Sequence, residues 1–250
     1  MNAKRKIRRL ASLLNKEYGK KVWRKSGDPI SVLIGTILSQ NTSDHNSHGA
    51  FANLRVQFSD WEKLRKSPVS KIERAIKSGG LSRMKATRIK RILNQIHNDG
   101  SDLSLSFLKR WDTDEIIQYL KEFKGVGEKT IACVLLFSLG RPVMPVDTHV
   151  LRLSRRLGLA PKKVDAQKAS GIMREIVPPH MVYSLHLNLI QHGRKVCKAR
   201  NPKCGGCVIF DLCEFEEKEN HLKTGELTYA KGKHLRGREK NKKALRAAAY

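Results

Sequence analysis

Four of the five cysteines, Cys197, Cys204, Cys207 and Cys213, fall within seventeen residues, separated by six, two and five residues. Thiolates are soft ligands that suit iron–sulfur clusters and zinc, and the turn-forming pairs Asn201-Pro202 and Gly205-Gly206 let one short segment fold four of them around a single centre. A metal cluster is the first reading, because structural zinc sites usually draw on two close pairs rather than one pair with outliers; zinc is the alternative. Paired disulfides fit less well, since no secretory apolar region follows the basic start and an oxidising compartment is not expected. Cys133 stands alone in an apolar helical stretch and reads as a small buried hydrophobe.

A second constellation is the run from Phe123 to Thr130, which contains Gly125-Val126-Gly127 and then Lys129. Its two glycines allow a tight turn and close approach of the backbone to a ligand. Amides at the start of the following helix can then hold a phosphate whatever the bases beside it. Short Gly-Val-Gly turns also join helices with no ligand at all, so the hairpin alone decides nothing. Asp147 lies eighteen residues after Lys129 and can cap a helix starting at Thr148.

These groups need a scaffold, and 250 residues with 40% hydrophobic content suffice for one or two domains with real cores. Ile7, Leu10, Leu13 and Leu14 recur at helical spacing within a start holding ten basic residues and one acid, which predicts a basic amphipathic helix over residues 1–25. Asp28-Pro29 reads as the cap and first turn of a helix through Leu38, ahead of the polar run 39–44. Helical periodicity then recurs at 61–64, 69–78, 85–97, 113–123, 130–139, 148–157, 166–177 and 183–192, with no alternating strand pattern to compete. The chain is expected to be all-α. Past Cys213 the apolar period fails, and 231–246 carries eight basic residues against Glu239, so 215–250 reads as a mobile basic tail.

Lys and Arg number 50 against 23 acids, a formal net charge of +27, more than solubility requires. A polyanion is the expected partner, and nucleic acid is the densest one. A membrane surface is the alternative, but no run of about 18 apolar residues could span one and no lipidation motif is visible.

Taken together, the Gly125-Val126-Gly127 hairpin, Lys129, Asp147 and the cysteine quartet occur in the order and spacing of the endonuclease III family, which this chain resembles over residues 25–214. The resemblance implies a helix-hairpin-helix DNA glycosylase and AP lyase of base excision repair, with two helical domains and a C-terminal [4Fe-4S] cluster loop. By position, Cys197, Cys204, Cys207 and Cys213 would ligate the cluster. Lys129 would attack C1′ of a damaged nucleotide, and Asp147 would assist it and stabilise positive charge on the sugar. A Schiff base followed by β-elimination would cleave the strand. The partner would be double-stranded DNA carrying oxidised pyrimidines or abasic sites. Asn41 and Leu81 would fill the gap left by the extruded nucleotide, although they could equally be a helix cap and a core residue. Arg83, Lys85 and Arg88 would meet phosphates, as would Lys198, Arg200 and Lys203 on the cluster loop.

The resemblance further implies a barrel domain over 25–141 and a cluster domain formed by 1–24 with 142–214. A monomer is expected, because one lesion has no two-fold symmetry. The expected compartment is the cytoplasm, or the nucleus through Lys4-Arg5-Lys6 if the source has one. The chain departs from the family at Lys124, where Pro is usual, at Ile131, where Ala is usual, and at Asn41, where Gln is usual. Thr36 stands where a mismatch adenine glycosylase would carry its catalytic Glu. An 8-oxoguanine glycosylase, a non-enzymatic iron–sulfur DNA-binding module and a zinc-stabilised RNA-binding protein are the competing readings.

Overall fold

The computed structural model describes residues 1–222; the basic stretch 231–246 expected to be mobile lies outside them. Among the described residues, eleven α-helices, several short 3-10 turns and one π-helical turn account for the regular structure, and there is no strand. In chain order the helices are α1 (Ala3–Tyr18), α2 (Pro29–Ser39), α3 (Asp44–Gln57), α4 (Trp61–Lys66), α5 (Val69–Ala75), α6 (Ser82–Asn98), α7 (Thr113–Lys121), α8 (Glu128–Cys133), α9 (Thr148–Arg156), α10 (Ala166–Ile176) and α11 (Val182–Lys195).

Their starts follow capping chemistry. Asp28 Oδ1 accepts from the Ser31 amide at 2.8 Å ahead of Pro29, and Asp112 and Glu115 form a reciprocal capping box on α7. One helix was not legible in the sequence. In α3 only Ser47, Ala50 and Leu54 are buried, so its inward face is mostly small residues and lacks an apolar stripe. Those small residues permit a close approach: Ala50 Cβ lies 3.1 Å from where a Cβ on Gly79 would stand.

Two cores form. One gathers the apolar faces of α2 through α8, from Ile30 to Leu135. The other joins Ile7, Leu10 and Leu14 of α1 to α9, α10, α11 and the cysteine segment. The chain passes between them inside one element: α8 runs directly into a π-helical turn, Val134–Ser138, where Leu135 belongs to the first core and Leu136 to the second. Such wider turns disturb the carbonyl ladder and favour functional neighbourhoods. Here the linker after α1 covers the turn. Trp23 Nε1 donates to Leu136 O at 2.7 Å, and the Ser26 amide donates to Phe137 O at 2.9 Å.

The first eight residues of the expected tail are instead packed. Phe215 lies under the Arg156 guanidinium, 4.1 Å from Cζ to the ring centre, and Lys218 Nζ donates to Cys213 O at 2.8 Å. The polar composition of this segment hid these contacts, which fold it back on the cysteine loop.

Candidate active site and metal centre

The hairpin places two glycines in different circumstances. Gly125 has φ +90, which disfavours any L side chain, and a Cβ there would stand 2.4 Å from Arg88 Nε. Arg88 therefore lies across the turn; its Nη1 donates to Gln40 Oε1 at 2.6 Å, while Arg91 Nη2 donates to Lys124 O at 2.9 Å. Gly127 is extended, and the space its Cβ would occupy is open, so a ligand can approach the backbone there. Val126 differs from the expectation for a DNA contact: its side chain is 7% exposed within the first core and its amide donates to Phe123 O at 2.9 Å. It anchors the hairpin, because an apolar side chain between two glycines is the one group of the turn that gains from burial.

Lys129 occupies the first turn of α8 and is half-buried. Asp147 caps α9, with Oδ1 accepting from the Val150 amide at 2.7 Å, so the carboxylate is held at the positive end of a helix. The two residues come from helices on different cores, yet both act electrostatically on the same two buried groups. Asp147 and Lys129 oppose one another at the imidazole of His186, which burial lowers to about 4, and both reach the Cys133 thiol, which burial pushes up. Cys133 is buried as expected, and the Thr36 hydroxyl donates to Val32 O at 2.7 Å. Nothing in the sequence singled out His186, whose buried Nδ1 has no hydrogen-bond partner among the described residues. Its one legible signal is a histidine at a core position of an apolar helix. His149 is half-buried against Arg152, Nδ1 to Nη2 at 2.9 Å, a packing role.

Asn41 and Leu81 are exposed and both adopt left-handed backbone, φ 53 and φ 49. Asn adopts this conformation comparatively readily, whereas it costs Leu81 roughly 1–2 kcal/mol and persists there only where the surroundings impose it. Arg83 is exposed beside Leu81. Lys85 corrects the expectation of a phosphate contact: it is fully buried, with Nζ donating to Leu38 O at 2.7 Å and Gly79 O at 2.8 Å. Its position offered a signal, since Lys85 shares the inward face of α6 with Ile89, Ile92 and Ile96.

The four cysteines are free thiols with no disulfide between them, and burial and their mutual charge push Cys207 up to about 12 and Cys204 and Cys213 up. So many thiols held together raise one another's cost of ionisation, a cost that bound metal relieves. Four thiols on one loop, close enough to act on one another's charge, are a soft donor set that suits an iron–sulfur cluster. Arg156 organises the loop, with Nη1 donating to Cys197 Sγ at 3.2 Å and to Lys198 O at 2.9 Å. His192 Nε2 lies 3.4 Å from Cys207 Sγ, and its Nδ1 is 2.9 Å from Tyr18 OH. Lys6 of α1 pairs with Glu214 at 2.5 Å. Lys198, Arg200 and Lys203 are exposed on the loop.

A family model for the HhH-GPD superfamily of base excision DNA repair proteins matches residues 34–179. The chain belongs to that superfamily. A second model, the iron–sulfur binding domain of endonuclease III, matches residues 197–213, the span of the quartet, so the cofactor is an iron–sulfur cluster. Endonuclease III of Escherichia coli K12 is 33% identical over 76% of this chain and 85% of its own length. The Arabidopsis thaliana protein named "Putative DNA glycosylase At3g47830" is 39% identical over 66% of this chain, which spans 56% of that relative. Among solved structures, a non-covalent endonuclease III–DNA complex superposes with a TM-score of 0.74 at 27% identity, covering 88% of this chain and 98% of that one. A trapped covalent endonuclease III–DNA intermediate matches at 0.74 and 26% identity, covering 88% and 99%. The superfamily member described here is thus an all-α DNA glycosylase of base excision repair. No helix among the described residues is long and apolar enough to cross a membrane.

Proposed function

We propose that the protein is a bifunctional DNA glycosylase/AP lyase that removes oxidised pyrimidines from duplex DNA, working as a monomer between a barrel domain (25–141) and a cluster domain (1–24 with 142–214). The observation that carries this reading is the placement of Lys129 in the first turn of α8, just after the open backbone of Gly127, and of Asp147 at the start of α9 on the other core, in a fold that superposes on endonuclease III–DNA complexes. A lysine amine can attack C1′ only unprotonated. The Asp147 carboxylate stays ionised and faces the positive charge that grows on the sugar as the C1′–N bond breaks; the departing base takes the bonding electrons and the proton that the Lys129 nitrogen releases on bonding C1′. The C1′–O4′ bond then opens, its oxygen taking a proton, to leave an iminium between C1′ and the nitrogen of Lys129; a proton leaves C2′, and the C3′–O bond breaks with the phosphate as leaving group.

Reaching C1′ requires the nucleotide out of the stack, a cost of a few kcal/mol that is smallest for damaged bases. Exposed Asn41 and Leu81, both in left-handed backbone, suit the two sides of the gap, a polar group facing the widowed base and an apolar wedge. The amides of Gly125 and Gly127, with Arg83, Lys198, Arg200 and Lys203, suit phosphates on either side. The cluster, when bound, supplies order to the loop that carries three of these cations.

Borohydride trapping on duplex DNA containing thymine glycol, with Lys129→Ala alongside, tests the proposal. A covalent adduct from the wild type alone is expected. No adduct on thymine glycol or on an abasic site would replace it with a monofunctional glycosylase, and a panel of mismatched and oxidised purines would then name the lesion.

A further inference from the structure

We infer that Lys85 is a positioning residue that sets the spacing between Asn41 and Leu81, and so governs extrusion of the target nucleotide rather than the bond-breaking steps. This rests on the assignment of those two side chains to the gap in the duplex. Lys85 Nζ binds Leu38 O, in the last turn of α2 and three residues before Asn41. The same nitrogen binds Gly79 O, at the end of a 3-10 turn and two residues before Leu81. Carbonyls at helix ends have no partner within their own helix, so an apolar residue at 85 would bury two acceptors unsatisfied.

Lys85 also brackets Leu81 from both directions. Its amide donates to Leu81 O at 3.0 Å, while its side chain holds Gly79 on the other side. Gly80 and Leu81 have consecutive positive φ values, 66 and 49, and no side chain caps α6. Gly80 tolerates that backbone but Leu81, a non-glycine, does not favour it, and Lys85 is the group whose bonds reach both segments. The strut is one flexible side chain at 0% exposure, bonded at its tip to two carbonyls.

The consequence is selective. Prising a base out of the stack needs both side chains at the correct separation, whereas an abasic site has no base to unstack. In single-turnover assays, Lys85→Met should slow base release from thymine glycol paired with adenine about tenfold more than it slows incision at an abasic site. Placing thymine glycol opposite a gap should recover most of that loss. A 2-aminopurine beside the lesion should brighten on binding wild type and much less on binding the variant. Iron content and melting temperature report whether the fold is intact; should Lys85→Met not fold, Lys85→Arg, which keeps the charge and donors on a longer reach, is read by the same ratio. Equal losses on paired lesion and abasic site, or no loss on either, would overturn the inference. Absence of base release and incision by the wild type would instead refute the proposed function, and this inference with it.

Discussion

Asp147 is asked to do two things, and they can be separated. Its Oδ1 caps α9 through the Val150 amide at 2.7 Å, and its charge is proposed to face the reacting sugar. Replacing it with Ala removes both. The lost cap should cost about 1 kcal/mol, which for a domain of this size lowers the melting temperature by about 2–4 °C. Asn keeps an acceptor oxygen and caps as well as Asp, losing only the charge at the helix start, a few tenths of a kcal/mol when half-exposed. The chemistry sees the reverse. A carboxylate stabilising charge that develops at the transition state is worth about 10²–10³ in rate, and the amide supplies little of it. Asp147→Asn should therefore melt within about 1 °C of wild type yet release the base as slowly as Asp147→Ala, measured by circular dichroism and single-turnover kinetics. If the Asn variant retained base release within threefold of wild type, Asp147 would be a cap and no more. If Asn melted as low as Ala, the cap would not be what the carboxylate contributes to the fold.

Gly125→Ala should lose about 2–3 kcal/mol in chemical denaturation, from left-handed strain and displacement of Arg88 off Gln40, whereas Gly127→Ala, in open space, should keep its stability and bind duplex DNA more weakly; equal stabilities would contradict the geometry of the hairpin. Cys204→Ala should lose iron and either stability or DNA affinity, and a colourless, stable, fully active variant would refute the structural role of the cluster. His186 is lowered by burial from 6.5 to about 4, so its contribution is complete above 6.5 and declines as pH falls toward about 4, where the folded form must accept a buried charge. A His186→Leu variant should show a shallower decline of denaturation midpoint over that window, and an unchanged slope would locate the acid sensitivity elsewhere.

Much of the chemistry was legible because it is local. A run of four cysteines, a hairpin with two glycines and an aspartate at a helix start each depend on a few adjacent residues, and turn geometry, capping and ligand softness act over that range. The all-α class follows from the same short-range periodicity. What it did not contain was the partner of each long side chain. Lys85 lies on the inward face of α6, yet its acceptor at Leu38 is 47 residues away, so no local pattern distinguishes a buried strut from a phosphate contact. α3 was missed for a related reason: its inward face is small because another backbone comes close, and that closeness is a property of the packed molecule. Burial of Val126, the packing of Phe215 and Lys218 against the cysteine loop, and the attachment of α1 through Lys6 and Tyr18 were likewise decided by contacts between distant segments. Residue types and spacings thus determined which groups could react and that four thiolates could hold a metal centre. Only the tertiary structure decided which groups face one another, because desolvation and Coulomb interaction depend on distance in space, and the chain order that records Lys129 and Asp147 says nothing of the His186 and Cys133 they share.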